Sequence, residues 1–218
     1  MLDFSLVTEY IPFLLKASIM TLEISILSLI LGLVMGIIIV ILKISKFKIL
    51  SLFADFYIWV LRGTPLLVQL FLVYFGLPQL GIELDPFTAS VLALGINAGA
   101  YIAEILRGGI LSIPKGQMEA AQSLGLGYPT IMRRIILPQA LRVSIPAIGN
   151  ESITLLKDSS LASLVTVSEL MMTSQRFAST NYAFIEFYIT AAILYLVMTT
   201  IFSFFLRKVE FKLSISER

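Results

Sequence analysis

Three sets of polar residues interrupt long apolar runs of this sequence. In GNESITLLKDSS, Glu151, Thr154, Leu155 and Asp158 recur at helical spacing on one face, with Asn150 and Lys157 on the adjacent one. In NAGAYIAEILR, Asn97, Tyr101 and Glu104 fall at i, i+4 and i+7. Asp55, Arg62 and Gln69 follow one stripe through RGTP, where Pro65 frees a helical carbonyl and bends the chain. Carboxylates, amides and hydroxyls grouped in this way do binding chemistry: they take up a polar or cationic solute. The chain has no cysteine and no histidine, which excludes disulfides, thiolate or imidazole metal sites, and histidine-based dyads and triads. An enzyme would be left with serine–lysine chemistry, Ser159 or Ser160 beside Lys157.

Charge pairing sorts these residues. Arg62 is matched by Asp55, or by an acid on another helix; Lys157 by Asp158; Glu104 by Arg107. Glu151 has no basic residue at helical spacing in its own segment, and a buried carboxylate is costly unless a cation reaches it or it is protonated. Asn97, Glu151, Thr154, Gln69 and Asp158 are therefore the candidate solute ligands. Asp55, Arg62, Pro65, Glu104 and Lys157 are read as structural or gating residues. The alternative is that such groups are polar glue between helices, with Glu151 protonated or hydrogen-bonded to Asn150.

The elements that hold these residues are membrane helices. Of the 218 residues 58% are hydrophobic and 14% charged, and the mean hydropathy is +0.95, too apolar for a soluble domain with a polar shell. The formal charge of +2 gives no footprint for nucleic acid. Uncharged runs at 24–42, 63–82, 86–103 and 187–206 each approach the roughly 20 residues of a bilayer helix. A fifth span crosses the polar set of 140–164. The reading is a single all-α polytopic domain over 1–218, with spans near 17–42, 50–75, 86–107, 140–164 and 184–206. Residues 166–183 form an amphipathic external segment, and 108–139 a loop. In Ser18, Thr21, Ser25, Ser28 and Gly32, with Gly36 beyond, span one carries a helix-packing face. Lys43, Lys46 and Lys48, the basic residues of the 107–142 region, and Arg207, Lys208, Lys212 and Arg218 all fall on one side. By the positive-inside rule that side is cytoplasmic, the C-terminus with it and the N-terminus outside.

The 108–139 loop is built like the surface of a soluble protein. GQMEAAQSLGLG offers good helix formers and then glycines; YPTIMRRIILP restarts near one proline and stops at another. Met118, Ala121 and Leu124 share one side of the first helix, with Glu119 and Gln122 turned away, while Ala120 and Ala121 allow close approach of another backbone. Gly125, Leu126 and Gly127 make a sharp reversal, so two short helices fold into an elbow suited to docking.

Glu119-Ala120-Ala121, three residues, Gly125, nine residues, then Ile135-x-Leu137-Pro138 reproduces the EAA-x3-G-x9-I-x-LP signature. In this the chain resembles the permease subunits of bacterial ABC importers. RGTPLLVQLFLVYFGLP (62–78), NAGAYIAEILRGGILSIPKGQMEAA (97–121) and GNESITLLKDSSLASL (149–164) extend the resemblance toward the polar amino-acid uptake branch; KDSS departs mildly from the more usual KDTS and keeps the hydroxyl. The resemblance implies about five spans and a dimer, homomeric or with a sister permease. It also implies an extracytoplasmic amino-acid-binding protein, and an elbow (Glu119, Ala120, Ala121, Gly125, Leu126, Gly127) seated in a cleft of the ATPase. Two ATPase subunits are expected, because such ATPases close in pairs. The chain has no G-x-x-x-x-G-K-[ST] run, so ATP and magnesium belong to the partner, and no cofactor or metal is expected here. The implied function is ATP-driven, alternating-access import across the bacterial cell membrane. The unmatched Glu151 points to a basic amino acid: arginine, lysine or histidine. A neutral polar one such as glutamine is the alternative, ahead of a channel, a proton-coupled carrier or a serine–lysine membrane enzyme.

Overall fold

The computed structural model describes residues 4–214; Arg218 and the side chain of Lys212, both counted above as cytoplasmic charges, lie outside the described residues. Every regular element among the described residues is helical. The chain begins with α1 (Ser5–Lys43), which starts well before the expected span and runs through Pro12. Its buried stripe is mostly small: Ala17, Ser18, Thr21, Ser25, Ser28, Gly32 and Gly36. α4 (Pro86–Ser112) offers the matching stripe Gly95, Ala98, Gly99 and Ala103. Small faces let two backbones come close and gain dispersion over a long seam. A Cβ on Gly36 would lie 2.6 Å from Cγ2 of Ile102, and one on Gly99 2.7 Å from Cβ of Met35. The rest of α1, including Ile26, Ile30, Val34, Ile37 and Ile41, is exposed and apolar, as a lipid-facing surface requires.

The second expected span is broken outright. α2 (Lys48–Gly63) and α3 (Leu66–Phe71), which continues as a π turn over Leu72–Gly76 and a 3-10 turn over Leu77–Leu80, meet at 105°. Pro65 removes a donor and forces the preceding residue out of the α region, and Thr64 is accordingly extended at φ −119°, ψ 148°. The proline therefore ends one helix and starts another, where the sequence suggested a bend in one.

α4 begins at an Asp85 cap, whose Oδ1 accepts from the N–H groups of Phe87 and Thr88 at 3.0 and 3.1 Å, with Pro86 at the first helical position. It continues past Arg107 to Ser112, further than expected. α5 (Lys115–Ser123) ends in a reversal in which Gly125 N–H donates to Gln122 O and Leu126 N–H to Ala121 O. The next helix was expected to stop at Pro138. Instead α6 (Tyr128–Ile131) passes through a π turn over Met132–Ile136 straight into α7 (Leu137–Asp158). The widened turn makes room for a proline ring that an unbroken α pattern would not accommodate. The loop expected over 108–139 is therefore mostly helix, and the elbow is one short helix plus the start of a long one.

α7 gives way to a 3-10 stretch over Ser159–Val165. The external segment forms α8 (Leu170–Asn181), and α9 (Phe184–Ser214) closes the chain, extending beyond the expected end near 206. α4 is the central helix, with 67% of its most apolar window buried against 6% for α9. By length and apolarity α1, α4 and α9 qualify as membrane spans, or four spans if the broken α2–α3 pair counts as one; α7, with its polar residues, does not qualify on that measure. One core joins α1, α2, α4 and α7, a second ties the start of α1 to α8 and α9, and a third lies under the elbow.

Candidate functional site

The α2–α3 break leaves the carbonyls of Leu61 and Thr64 without helical partners, and two of the candidate ligands fill that need. Gln69 Nε2 donates to Leu61 O at 2.9 Å, Thr64 O at 3.1 Å and Thr64 Oγ1 at 2.9 Å. Asn97 Nδ2, from α4, donates to Leu61 O at 3.1 Å and to Oε1 of Gln69 at 3.0 Å. Both side chains are buried. The structure brings Asn97 and Gln69 together, and their amide N–H groups are committed to the backbone and to each other.

Charges gather around the same break. Asp55 pairs with Lys43 at the end of α1, a correction to its expected match with Arg62. Arg62 turns to α4, with Nη1 3.8 Å from Oε2 of Glu104 and the guanidinium carbon 5.1 Å from the Tyr101 ring centre. Glu104 itself is held by Arg107 through two bonds of 2.9 Å, in a fork matched to the carboxylate. Tyr57 secures α2 by donating from its hydroxyl to Ile96 O at 2.6 Å.

On α7, Glu151 and Asp158 are half-buried and Thr154 is exposed. Glu151 makes no hydrogen bond and no ion pair among the described residues, so the expected alternative bond to Asn150 is not formed. Lys157 forms no ion pair with Asp158, contrary to expectation; it lines a different groove of about 480 Å³, against α9, with Ile153, Thr199, Thr200, Ser203 and Arg207. Consecutive residues on a helix point about 100° apart, which is why neighbours in sequence part company here.

At the other end, Ala121 is buried against Ile131 and Ile136, with Met118 packed beside it. Leu124 does not join that side: it caps α5 and stands 80% exposed. Glu119 and Ala120 are exposed, as are Gly125, Leu126 and Gly127. Gly125 has φ +76°, a backbone that side chains with a Cβ resist. Glu119 and Gln122 border a hollow of about 410 Å³ floored by Ile110, Met118, Met132 and Ile136. The result is a rigid, exposed projection with a fixed turn and a carboxylate at its rim.

A family described as the binding-protein-dependent transport system inner membrane component matches residues 28–215. The chain belongs to that family. The permease is 44% identical, over 97% of both chains, to the arginine transport system permease protein ArtQ of Bacillus subtilis. It is 41% identical, over 98% of both, to the glutamine transport system permease protein GlnP of Escherichia coli. A crystal structure of an amino acid ABC transporter with histidines contains a chain 43% identical, with a TM-score of 0.93 covering 97% of this chain and 99% of that one. The permease is thus a multi-pass inner-membrane transporter subunit of the amino-acid ABC type. Hydrolysis of ATP belongs to a partner, and the chain is not an enzyme. The hydroxyls of Ser159 and Ser160 donate to the carbonyls of Leu156 and Lys157.

One polar centre of the permease had no expectation attached to it. Glu169, fully buried, caps α8 by accepting from the N–H groups of Met171 and Met172 at 2.9 and 2.8 Å. It also accepts from the Tyr195 hydroxyl at 2.8 Å and Thr21 Oγ1 at 3.3 Å, joining α8, α9 and α1. An acid immediately before the apolar run Leu170-Met171-Met172 was the available signal, because acids favour helix N-termini.

Proposed function

We infer that this permease is the membrane-spanning subunit of an ATP-driven importer of polar amino acids, and that basic ones, arginine, lysine or histidine, are its preferred substrates. The observation that carries this reading is Glu151, a half-buried carboxylate on α7 with no hydrogen bond or ion pair among the described residues. A cationic side chain supplies the charge the acid lacks, with Asp158 reinforcing the field. The Thr154 hydroxyl donates to the substrate carboxylate, and the amide oxygens of Asn97 and Gln69 accept from the α-amino group. The similarity to an arginine permease and to a transporter solved with histidines supports this choice. The glutamine permease is nearly as similar, and the Asn97–Gln69 amide pair, which carries no net charge and keeps acceptor oxygens for a substrate N–H, favours a glutamine-like substrate as the second reading.

In this proposal the chain is one domain of five spans: α1, the α2–α3 pair, α4, α7 with its 3-10 extension, and α9. The α5 elbow lies in the cytoplasm, the N-terminus outside and the C-terminus inside, in keeping with the distribution of basic residues. Two permease chains, identical or sister, engage two ATPases through their elbows, and an extracytoplasmic binding protein delivers the amino acid. ATP and magnesium bind the ATPases, and this chain carries no cofactor. Closing and opening of the ATPases shifts the permease between outward and inward access.

Uptake by the complete transporter in vesicles, with one fixed binding protein, tests the reading. Glu151→Gln lowers arginine uptake by at least about tenfold, the equivalent of about 1.4 kcal/mol, and leaves any glutamine uptake in place. Unchanged arginine uptake overturns it.

A further inference from the structure

α8 lies along the first turns of α1, running in the opposite direction. The backbone N–H of Leu170 donates to Thr21 Oγ1 at 3.1 Å, the ring centres of Phe177 and Phe13 stand 5.8 Å apart, and the Tyr10 hydroxyl donates to Asn181 Oδ1 at 3.2 Å. On the exposed flank of this seam the two helices leave a groove of about 530 Å³. Lys16 and Glu23 from α1, Thr173 and Arg176 from α8, and Ser168 just before α8 face it. Its apolar walls are Phe13, Ile19 and Phe177. Lys16, Glu23 and Arg176 are exposed, and their side chains form no ion pair and no hydrogen bond among the described residues.

The level of this groove follows from α1. At 1.5 Å per residue Lys16 and Lys43 stand about 40 Å apart along the helix, which matches a bilayer with its headgroup layers, against about 30 Å for the hydrocarbon alone. Lys43 is at the elbow end, where the next residue, Ile44, lines the same hollow as Glu119. Lys16 therefore stands in the headgroup layer of the opposite leaflet. Below it Ile19, Ile26 and Ile30 continue the same side of α1 into the hydrocarbon, exposed and apolar. A ligand suited to this place carries an anion at its top and hydrocarbon beneath.

We propose that the groove binds an anionic phospholipid of the phosphatidylglycerol type in the leaflet opposite the elbow. Lys16 and Arg176 hold the phosphate by charge-assisted bonds, the hydroxyls of Ser168 and Thr173 supply further donors, and the acyl chains follow Ile19, Ile26 and Ile30. Glu23, about 10 Å deeper than Lys16, bears on the choice of headgroup. The terminal group of a phospholipid projects from the phosphate toward water, so the ammonium of a zwitterionic lipid would meet the two cations and lie out of reach of Glu23. An uncharged glycerol headgroup leaves the cations to the phosphate alone. Two cations against one acid leave the groove one net positive charge, which a single phosphodiester matches. Inorganic phosphate satisfies the cations but leaves the apolar walls uncovered. The lipid so held bridges α1 and α8. This inference stands apart from the reading of Glu151.

Native mass spectrometry of the permease–ATPase complex, equilibrated in detergent with equal amounts of phosphatidylglycerol and phosphatidylethanolamine, tests it. The parent should retain phosphatidylglycerol in preference. Lys16→Gln combined with Arg176→Gln should lower that retention at least about tenfold, in keeping with the pull of each basic residue near the surface on an anionic headgroup. Lys16→Arg combined with Arg176→Lys should preserve it. A second measurement needs no variant: photoactivatable phosphatidylglycerol in nanodiscs should label the parent within residues 13–23 and 168–177. Equal retention of the two lipids, retention that survives the double glutamine change, or labelling confined to other segments overturns the site. Displacement of the lipid by soluble glycerol phosphate at equal concentration overturns it as well, because the groove would then take any small phosphate and not a lipid.

Discussion

Asn97 on α4 donates to Gln69 on α3 at 3.0 Å, and both donate to the same carbonyl, that of Leu61 at the end of α2. Three elements separated in sequence are thereby pinned at one oxygen. The pair stabilises the break that Pro65 creates, and any contact with substrate is made by the atoms that remain.

Gln69→Ala removes four bonds, three donated by Nε2 and one accepted from Asn97, and leaves the carbonyls of Leu61 and Thr64 short of donors, at a cost of about 1–3 kcal/mol for an unsatisfied buried group. The variant should show a lower melting temperature in detergent. The effects of Gln69→Ala and Asn97→Ala should be less than additive, since each removes part of one network. Additive losses would show that the two amides act independently.

Gly125 and Glu119 separate fold from coupling. Gly125→Asp places a side chain at φ +76°, a local cost of about 1–2 kcal/mol, on a loop where nothing lies within 4 Å of the new Cβ. Glu119→Ala changes an exposed carboxylate. Both proteins should insert and purify normally, yet co-purify poorly with the ATPase or hydrolyse ATP without uptake. Normal uptake by both would refute the elbow's role. Native mass of the active complex should give two permease chains and two ATPases.

Glu169→Ala should be among the most destabilising single changes in the chain. It strips the acceptor from two N–H groups and the Tyr195 hydroxyl in a fully buried place, for a loss of several times the roughly 1 kcal/mol of a typical bond. Tyr195→Phe should cost less. Thermal unfolding of the two variants tests the order, and a Glu169→Ala protein as stable as the parent would show the cap to be dispensable.

Asp85 gives a pH dependence of known sign. The Thr88 hydroxyl, then the backbone N–H groups of Thr88 and Phe87, hold its carboxyl below the usual aspartate range. A folded value below the unfolded one means that the cap contributes fully above about pH 4, the ordinary aspartate value. The contribution is lost as pH falls through the lowered value. The melting difference between the parent and Asp85→Ala should be constant from neutral pH down to about pH 5, and shrink below about pH 4. A difference that stays unchanged through the whole acid range would show the cap to be independent of the carboxylate's charge.

Some of the site was legible early because local chemistry decides it. Glu104 with Arg107 is an i, i+3 pair on one helix, and geometry within a helix is known once the helix is. Lys43 with Asp55 and Arg62 with Tyr101 were not legible, since they join different helices across a crossing whose angle no short stretch of sequence carries. Pro138 misled for a related reason: a proline weakens a helix locally, and the π turn over Met132–Ile136 that carries α6 into α7 keeps the chain helical through it.

Composition determined that the chain is helical and lives in lipid, because a backbone in hydrocarbon must satisfy its own hydrogen bonds and so many apolar residues leave no soluble alternative. The spacing of Glu119 through Pro138 determined the family, since a docking elbow needs those residue types in order along one short segment. Tertiary structure alone decided which charges meet. It turned Asp55 to Lys43, left Glu151 without a partner, moved Lys157 to the α9 side and buried Glu169 between three helices. The physical reason is that a charge takes the nearest opposite charge in space, and in a bundle nearness is set by the close seam of α1 on α4 and the break at Pro65, not by distance along the chain.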